Sequence, residues 1–300
     1  MHRAWLLTLL VLPGCLRAGY DRRAADGPVP QDTARPDLPA LDLPRPDSVR
    51  PKDLPLPDLP LPDLPPPCAS APDPDTVALL TFEGSGNTVS DATGKHPGAV
   101  VGSGVARVPG QAGCGKAVAF PNAITDYVTI PDSPDWDLTQ GSVDFWVRID
   151  TPSPAGFRGI VSRDANQQAL PGHFTVFQLC DGGLAVRLQK DLNDRDVRCS
   201  TPVSLGVWHH VGVNFGPGGL ALYIDGVEAT RSETLKSCTF QLQCGTSGDQ
   251  GLAGNDNPWV LGASSSGSVE GQATPVVYPF DGAIDSFRVS SVRRAFAATP

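Results

Sequence analysis

Residues 208–226, WHHVGVNFGPGGLALYIDG, contain two runs in which apolar and polar residues alternate. This period of two is typical of a strand with one buried face. Gly216-Pro217-Gly218-Gly219 joins the runs, and these residues tolerate or fix the φ angles that a hairpin loop needs. Asp225-Gly226 is a second turn signal. Because a single hairpin cannot bury its apolar face alone, the stretch predicts a larger sheet around it.

The composition of the 300-residue chain changes near residue 75. The segment before it is rich in proline and poor in aromatic residues, whereas the rest is rich in Gly, Val, Ser and aromatic residues. About 225 residues remain after this point, which is enough for one large all-β domain with its own core. The net charge of −9 argues against a nucleic-acid partner, which requires a basic surface. It is compatible with metal cations or neutral sugars.

The first 15 residues, MHRAWLLTLLVLPGC, have a basic start and an apolar run over residues 4–12. That run is shorter than the roughly 20 residues of a membrane-spanning helix, so it predicts a secretory signal peptide. The segment LPGC ending at Cys15 resembles a bacterial lipobox, which implies a lipidated Cys15. An ordinary signal peptide with a chance cysteine is the alternative. The residue after Cys15 is Leu16, whereas an Asp at this position often retains lipoproteins in the inner membrane. Leu16 therefore favours the outer membrane or cell surface.

Residues 16–75 form a low-complexity segment in which Asp recurs every five or six residues, mostly as Asp-Leu-Pro. Proline cannot donate to a hydrogen-bond ladder, and it drives the preceding residue toward extended geometry. The segment therefore predicts a disordered, extended stalk between the membrane and the domain. Recognition of its proline-rich stretches by a partner is the alternative.

Once Cys15 is assigned to lipid, six cysteines remain, and an even set in an exported chain predicts three disulfides. Cys238 and Cys244 frame a five-residue loop and are predicted to pair. Cys180 ends one predicted strand, and Cys199 lies on another that could return beside it. This leaves Cys68 with Cys114. A zinc site is the competing interpretation, but no CxxC pair is present.

Many short strands without a helical period indicate a β-sandwich. In the strand at 142–149, alternate residues from Val143 to Ile149 share one face, and Trp146 lies on the other, which is therefore not expected to be fully solvated. Besides the two strands of the opening hairpin, the predicted strands lie at 77–82, 98–102, 117–120, 126–130, 142–149, 159–162, 174–180, 184–189, 197–200, 259–262 and 282–289.

Several segments match one family pattern in order: AVAF at 117–120, DYVTIP at 126–131, SVDFWVR at 142–148, WHHV at 208–211, LYIDG at 222–226 and FDGAIDSFRV at 280–289. Together they resemble the concanavalin A-like, laminin-G-like domains of bacterial surface proteins. The resemblance covers residues 76–296 and implies a jelly-roll sandwich of two antiparallel sheets. It also implies binding of glycans or proteins, often with calcium, and rarely chemistry.

Calcium prefers carboxylate and carbonyl oxygens. The candidate ligands are Glu83 after the first strand, Asp91 in the loop that follows and Asp285 in the last strand. The resemblance places the first and last strands together, so these residues could converge on one structural ion. Ordinary solvated turn acids are the alternative.

A second candidate site lies in a glycine-rich loop before the strand at 259–262. Its residues are Asp249, Asn255, Asp256 and Trp259, which could bind calcium or a sugar. The alternatives are a flexible loop and, for the tryptophan, a core position. His209 and His210 alternate along one strand, so they are predicted to face opposite ways and to form no joint site.

Catalysis is not predicted. A retaining glycosidase needs two carboxylates about 5–5.5 Å apart. After residue 82 the only glutamates are Glu83, Glu228, Glu233 and Glu270, with no E-x-D-x-E run. The sequence therefore predicts a surface-anchored, non-catalytic module for glycan or protein ligands. The alternatives are a structural cell-envelope lipoprotein without a dedicated ligand and a divergent glycan hydrolase.

Overall fold

The computed structural model describes residues 68–69, 71–153, 156–164, 171–189, 195–235, 242–265 and 276–296. The predicted signal peptide with Cys15, most of the predicted stalk, and Cys238 lie outside these residues. In the described part, no helix has the length and apolar character needed to cross a membrane.

The secondary structure is almost entirely β. The first strands are β1 (Thr76–Leu80), β2 (Thr88–Val89), β3 (Gly98–Val101), β4 (Ala106–Pro109), β5 (Lys116–Pro121), β6 (Tyr127–Ile130), β7 (Gly141–Ile149), β8 (Phe157–Arg163), β9 (His173–Leu179) and β10 (Gly183–Gln189). The later ones are β11 (Arg195–Pro202), β12 (Trp208–Phe215), β13 (Ala221–Ile224), β14 (Val227–Glu228), β15 (Thr234–Leu235), β16 (Leu242–Gln243), β17 (Trp259–Leu261), β18 (Ser264–Ser265), β19 (Val276–Val277) and β20 (Asp281–Ser290). A 3-10 turn spans Pro134–Trp136.

Two large antiparallel sheets form a sandwich, as predicted. The first sheet has the order β14-β13-β12-β7-β20-β5-β4, and β1 also pairs with β20. The second sheet has the order β11-β10-β9-β8-β17-β6-β3-β2. Each predicted strand is present, with its ends shifted by at most a few residues. The strand β4 was missed because its residues are all at least partly exposed, which leaves no buried face to detect.

The opening hairpin is β12 and β13, with Val211 opposite Ile224 and Val213 opposite Leu222. Its loop uses the predicted glycines at positive φ, for example 93° at Gly216. Strand β12 pairs on its other side with β7, the central strand of the first sheet. The hairpin therefore lies near one end of this sheet, with only β14 beyond it, and its apolar face joins the core between the two sheets.

The inner face of β7 lies in that core, since Val143, Phe145, Val147 and Ile149 are all fully buried. The opposite face is also covered, as its tryptophan indicated. Trp146 is 2% exposed and packs against His210 at a ring-centroid distance of 5.3 Å. The carboxy-terminal segment, residues 291–296, lies over this outer face.

That segment is held by specific contacts with the first sheet. Ser142 donates a hydrogen bond to the Val292 carbonyl at 2.9 Å, and the Asn214 side chain donates to the Arg294 carbonyl at 2.9 Å. The Phe296 ring lies 5.8 Å from that of His210. The covering segment explains why this face of the sheet carries buried aromatic and charged residues.

The cysteines pair differently from the prediction, apart from one bridge. Cys68 is bonded to Cys114, with 5.4 Å between their Cα atoms, as predicted. Cys199, however, is bonded to Cys244, with a Cα separation of 5.6 Å. The predicted pairs Cys180–Cys199 and Cys238–Cys244 are therefore wrong. Cys180 is also disulfide-bonded.

The sheet order gives the physical reason for this correction. Strand β10 lies between β9 and β11, because Ala185 pairs with Phe177 on one side and with Cys199 on the other. The end of β9, where Cys180 lies, is therefore not adjacent to β11. The Gly245 amide donates to the Val197 carbonyl of β11 at 2.8 Å, which brings Cys244 beside Cys199.

Candidate functional site

Glu83 and Asp285, two of the three predicted calcium ligands, contact the same loop. This loop, residues 110–115, connects β4 and β5 and contains Cys114. The Gln111 amide donates to Asp285 Oδ2 at 3.2 Å. The Lys116 amide, just after the loop, donates to Glu83 Oε1 at 3.0 Å. The two residues are called the carboxylate pair below. They lie near the start and the end of the domain sequence, and both contact this part of the chain.

The carboxylate pair lies against the backbone of this loop, and its two members differ in burial. Asp285 is fully buried. Its burial raises its pKa to about 7, and the negative charge of Glu83 adds to this effect. A Cβ atom at Gly110 would overlap Asp285 Oδ2, and one at Gly115 would overlap the Glu83 carboxylate. The backbone can therefore approach both carboxylates closely only because these loop positions are glycine.

These two side chains would need further ligands from backbone or water oxygens to complete a calcium site. Within the described ranges, no group of three or more His, Cys, Asp and Glu side chains could hold a metal ion. Any calcium ion here would thus depend on the loop backbone as much as on the carboxylate pair.

Asp91, the third predicted ligand, has a different role. Its Oδ1 accepts hydrogen bonds from the amides of Leu79 at 2.8 Å and Thr93 at 3.1 Å. Its Oδ2 accepts from the amides of Lys95 at 3.1 Å and His96 at 2.9 Å, and also from the Thr93 hydroxyl. Burial raises the pKa of Asp91, but these hydrogen bonds outweigh it, so the pKa is lowered. The prediction that Asp91 joins the calcium site is corrected, because its oxygens are occupied.

The second predicted site does not form a joint cluster either. Trp259 has no exposed surface and packs against Phe174, with 5.4 Å between ring centroids. It therefore cannot stack on a sugar, and its predicted ligand-binding role is corrected to a core position. Asn255 is 3% exposed and donates to the carbonyls of Arg163 and Gly172, each at 2.8 Å. Its amide group fastens the loop and is not free for a ligand.

The two acids of this loop, Asp249 and Asp256, are exposed. Asp249 lines a shallow cleft of about 440 Å³ together with Thr139 and Pro171. The loop itself is fastened by Arg163, which is fully buried and donates to the Leu252 carbonyl at 2.9 Å. The sequence analysis missed this arginine, although a charged residue that closes the apolar run GIVSR is a signal for a buried charge that needs hydrogen-bond partners.

The neighbouring histidines face opposite ways, as predicted. His209 Nδ1 lies 2.7 Å from Asp225 Oδ2, and its Nε2 lies 3.2 Å from the Ser204 carbonyl. The hydrogen bond to Asp225 raises the pKa of His209. His210 instead lies on the outer face, with Nε2 3.4 Å from Asp144 Oδ2.

A larger cleft lies where His209 and Asp225 meet, and the sequence did not reveal it. It has a volume of about 640 Å³ and is called the edge cleft here. Its walls are the end of β11 with residues 203–204, the β13–β14 turn with β14, and residues 229–233. Strands β11 and β14 are the outermost strands of the two sheets at this side. Periodicity identifies strands but not which of them are edges, so the sequence held no signal for this cleft.

Two antiparallel sheets around one core, with strands β1 and β20 paired, define a jelly-roll sandwich. The chain belongs to the concanavalin A-like lectin/glucanases superfamily, whose family model Laminin_G_3 matches residues 122–296. This match confirms the predicted family and fold class. No curated protein sequence matches the chain.

Solved structures with the same fold come from distant proteins. The binding domain of Paraclostridial Mosquitocidal Protein 1 is 15% identical, with a TM-score of 0.52 over 74% of this chain and 50% of that one. Trypanosoma rangeli sialidase is 13% identical, with a TM-score of 0.51 over 75% of this chain and 32% of that one. Domain 4 of AbnA, an extracellular arabinanase from Geobacillus stearothermophilus, is 20% identical, with a TM-score of 0.49 over 72% and 92%.

At these identities the similarity concerns the fold alone. This chain spans half of the mosquitocidal binding domain and about a third of the sialidase. The fold class includes both binding domains and glycosidases, so the site residues of this chain must be considered on their own chemistry. The disulfides are typical of an exported protein.

Proposed function

We propose that the chain is an exported, non-catalytic binding module for a glycan or a protein. In this proposal, lipid on Cys15 anchors it at the outer membrane or cell surface, and the stalk separates the domain from the bilayer. The observation that carries the binding function is the edge cleft, an open and partly polar concavity on a domain of a lectin and glucanase superfamily. A glycan is the first ligand to test.

The positions of the acidic residues support binding without hydrolysis. A glycosidase needs a protonated carboxyl group that reaches the glycosidic oxygen. Asp285 has a raised pKa, but it is fully buried and cannot reach a substrate. Asp225 lines the edge cleft, but hydrogen bonds from His209 and the His210 amide outweigh its burial and lower its pKa. Glu228 and Glu233 are ion-paired with Arg198 and Arg231.

The test of this function is a glycan array probed with the mature full-length protein. We expect retention of a subset of glycans and no release of reducing ends from the same glycans in solution. Mass spectrometry of the same preparation reports whether Cys15 carries lipid. Silence across the array would favour the alternative, a structural envelope lipoprotein without a dedicated ligand. Release of reducing ends would favour the divergent hydrolase.

We also propose that the carboxylate pair holds a structural calcium ion. Calcium added to chelator-treated protein is expected to raise the melting temperature, because a ligand at about 100 times its Kd stabilises the folded state by about 2.7 kcal/mol. Asp285→Asn removes one anionic ligand and is expected to abolish the rise. Asp137→Asn changes an exposed acid that belongs to neither candidate site and is the matched control. An equal rise in both variants would contradict this assignment.

A further inference from the structure

The edge cleft has the position and size of a small-ligand site. It lies between the outermost strands of the two sheets, where the sandwich is open. Its volume of about 640 Å³ falls within the range of roughly 300–1,000 Å³ that is usual for such sites. The exposed carboxylates and the apolar side chains of its walls face one common space.

One wall is fixed before any ligand arrives. Arg231 donates to Asp181 Oδ2 at 2.6 Å and to the Ser200 carbonyl at 3.2 Å. Arg231 also forms a backbone bridge with Cys199, which is bonded to Cys244. A ligand therefore meets a preformed surface, and preformed sites lose less entropy on binding.

The opposite wall is fixed by His209. Its Nε2 lies beside the Ser204 carbonyl, which can only accept, so Nε2 carries a proton. Its Nδ1 lies 2.7 Å from the Asp225 carboxylate, which is also an acceptor. Both ring nitrogens thus face acceptors, and the His209 side chain ties the residues before β12 to the β13–β14 turn. Asp225 has φ of 51° and Gly226 of 81°, so this turn is itself tightly defined.

The charged side chains of the edge cleft are already paired with one another, so a neutral ligand fits the cleft better than a charged one. His209 is paired with Asp225, Arg231 with Glu233, and Glu228 with Arg198 at 3.1 Å. An anion would have to compete with these carboxylates for the cations, and a cation would have to compete with the arginines. A neutral ligand disturbs none of these pairs.

The remaining capacity of the cleft suits hydroxyl groups. The side chains of Asp225, Glu228 and Glu233 are 42%, 45% and 54% exposed. Each carboxylate can accept about four hydrogen bonds, so each retains free acceptor positions toward the cleft. Apolar surface lies beside them, because Val227 is 71% exposed and Ile224 also lines the cleft. A sugar ring offers this combination, since its hydroxyl edges donate and its C–H face is apolar.

We propose that the edge cleft binds one or two residues of a neutral glycan. This assignment rests on the proposed function and gives it a location.

The edge cleft is also separate from the proposed calcium site. Along the first sheet, Asp285 pairs with Trp146, Trp146 with His210, and the Asp225 amide donates to the His210 carbonyl. The two sites are therefore three strand spacings of about 4.8 Å apart, and sugar binding needs no contact with the ion.

The experiment measures binding of gluco-, manno-, galacto- and xylo-oligosaccharides to the mature full-length protein, with a sialylated oligosaccharide as a charged comparison. Val227→Arg places a bulky charge on an exposed position and should not disturb folding. We expect it to weaken binding of the best neutral ligand about tenfold or more. Glu228→Gln should weaken it by a smaller factor. Ile124→Arg places the same charge on an exposed apolar residue between β5 and β6, outside the edge cleft, and is the matched control that should leave binding unchanged.

The outcomes separate the two proposals. If the wild-type protein binds no glycan, glycan binding as its function fails and the cleft assignment fails with it. If the wild type binds and Val227→Arg binds equally well with an unchanged melting temperature, only the cleft assignment fails. Preference for the sialylated probe contradicts the neutral ligand. Binding by wild type in excess chelator, at temperatures where the protein is folded, supports the separation from calcium.

Discussion

Trp259→Ala is expected to destabilise the domain by about 3–5 kcal/mol, the cost of truncating a large core side chain. The indole has no exposed surface, and its ring packs against three others. The ring-centroid distances are 6.2 Å to Trp136, 5.4 Å to Phe174 and 5.6 Å to Phe287. Removing it leaves a cavity at the centre of the sandwich. The free energy of unfolding in urea, measured with and without a bound glycan, is the readout.

Two further variants make this test specific. Trp259→Phe keeps most of the ring volume, and the indole Nε1 is buried without a hydrogen-bond partner, so this change should cost less than the alanine. Trp208→Ala removes a partly exposed tryptophan that lies beneath the Arg148 guanidinium at 5.5 Å. It should cost about 1 kcal/mol. Loss of glycan binding by Trp259→Ala at wild-type stability would restore the sugar-platform hypothesis.

The strands could be predicted because alternation in the sequence records which face is buried. In β7, Val143 and its alternate neighbours point into the core, and the period of two is visible without any structure. The same pattern cannot tell which strands neighbour each other in a sheet. The order of the strands decides the cysteine pairs. Because the sequence pattern does not contain this order, it predicted the pair Cys180–Cys199, although β10 lies between their strands.

The candidate site was only partly predictable for a related reason. The expectation that the first and last strands pair predicted that Glu83 and Asp285 meet, and in the structure both accept hydrogen bonds from backbone amides of residues 111–116. Asp91 and Trp259 were assigned by residue type, since carboxylates suit calcium and aromatic faces suit sugars. Residue type reveals neither the hydrogen bonds that occupy Asp91 nor the burial of Trp259, and these decided the two cases. The edge cleft needs two strand ends from different sheets, which no local pattern contains.

Asp91→Ala is expected to destabilise the domain by about 2–6 kcal/mol. Two of the amides it satisfies, those of Leu79 and His96, are buried, and each would lose its acceptor at a cost of about 1–3 kcal/mol. The loss of stability should be the same in calcium and in chelator, whereas a calcium ligand would show this loss only in calcium.

The pH dependence of stability is a second readout for Asp91. Because the pKa of Asp91 is below the ordinary value of 3.8, its carboxylate stabilises the wild type above that pH, and this contribution disappears as the pH falls through the folded-state pKa. The stability difference between wild type and Asp91→Ala should therefore narrow in acid, and a difference that is constant with pH would contradict the hydrogen-bonded carboxylate.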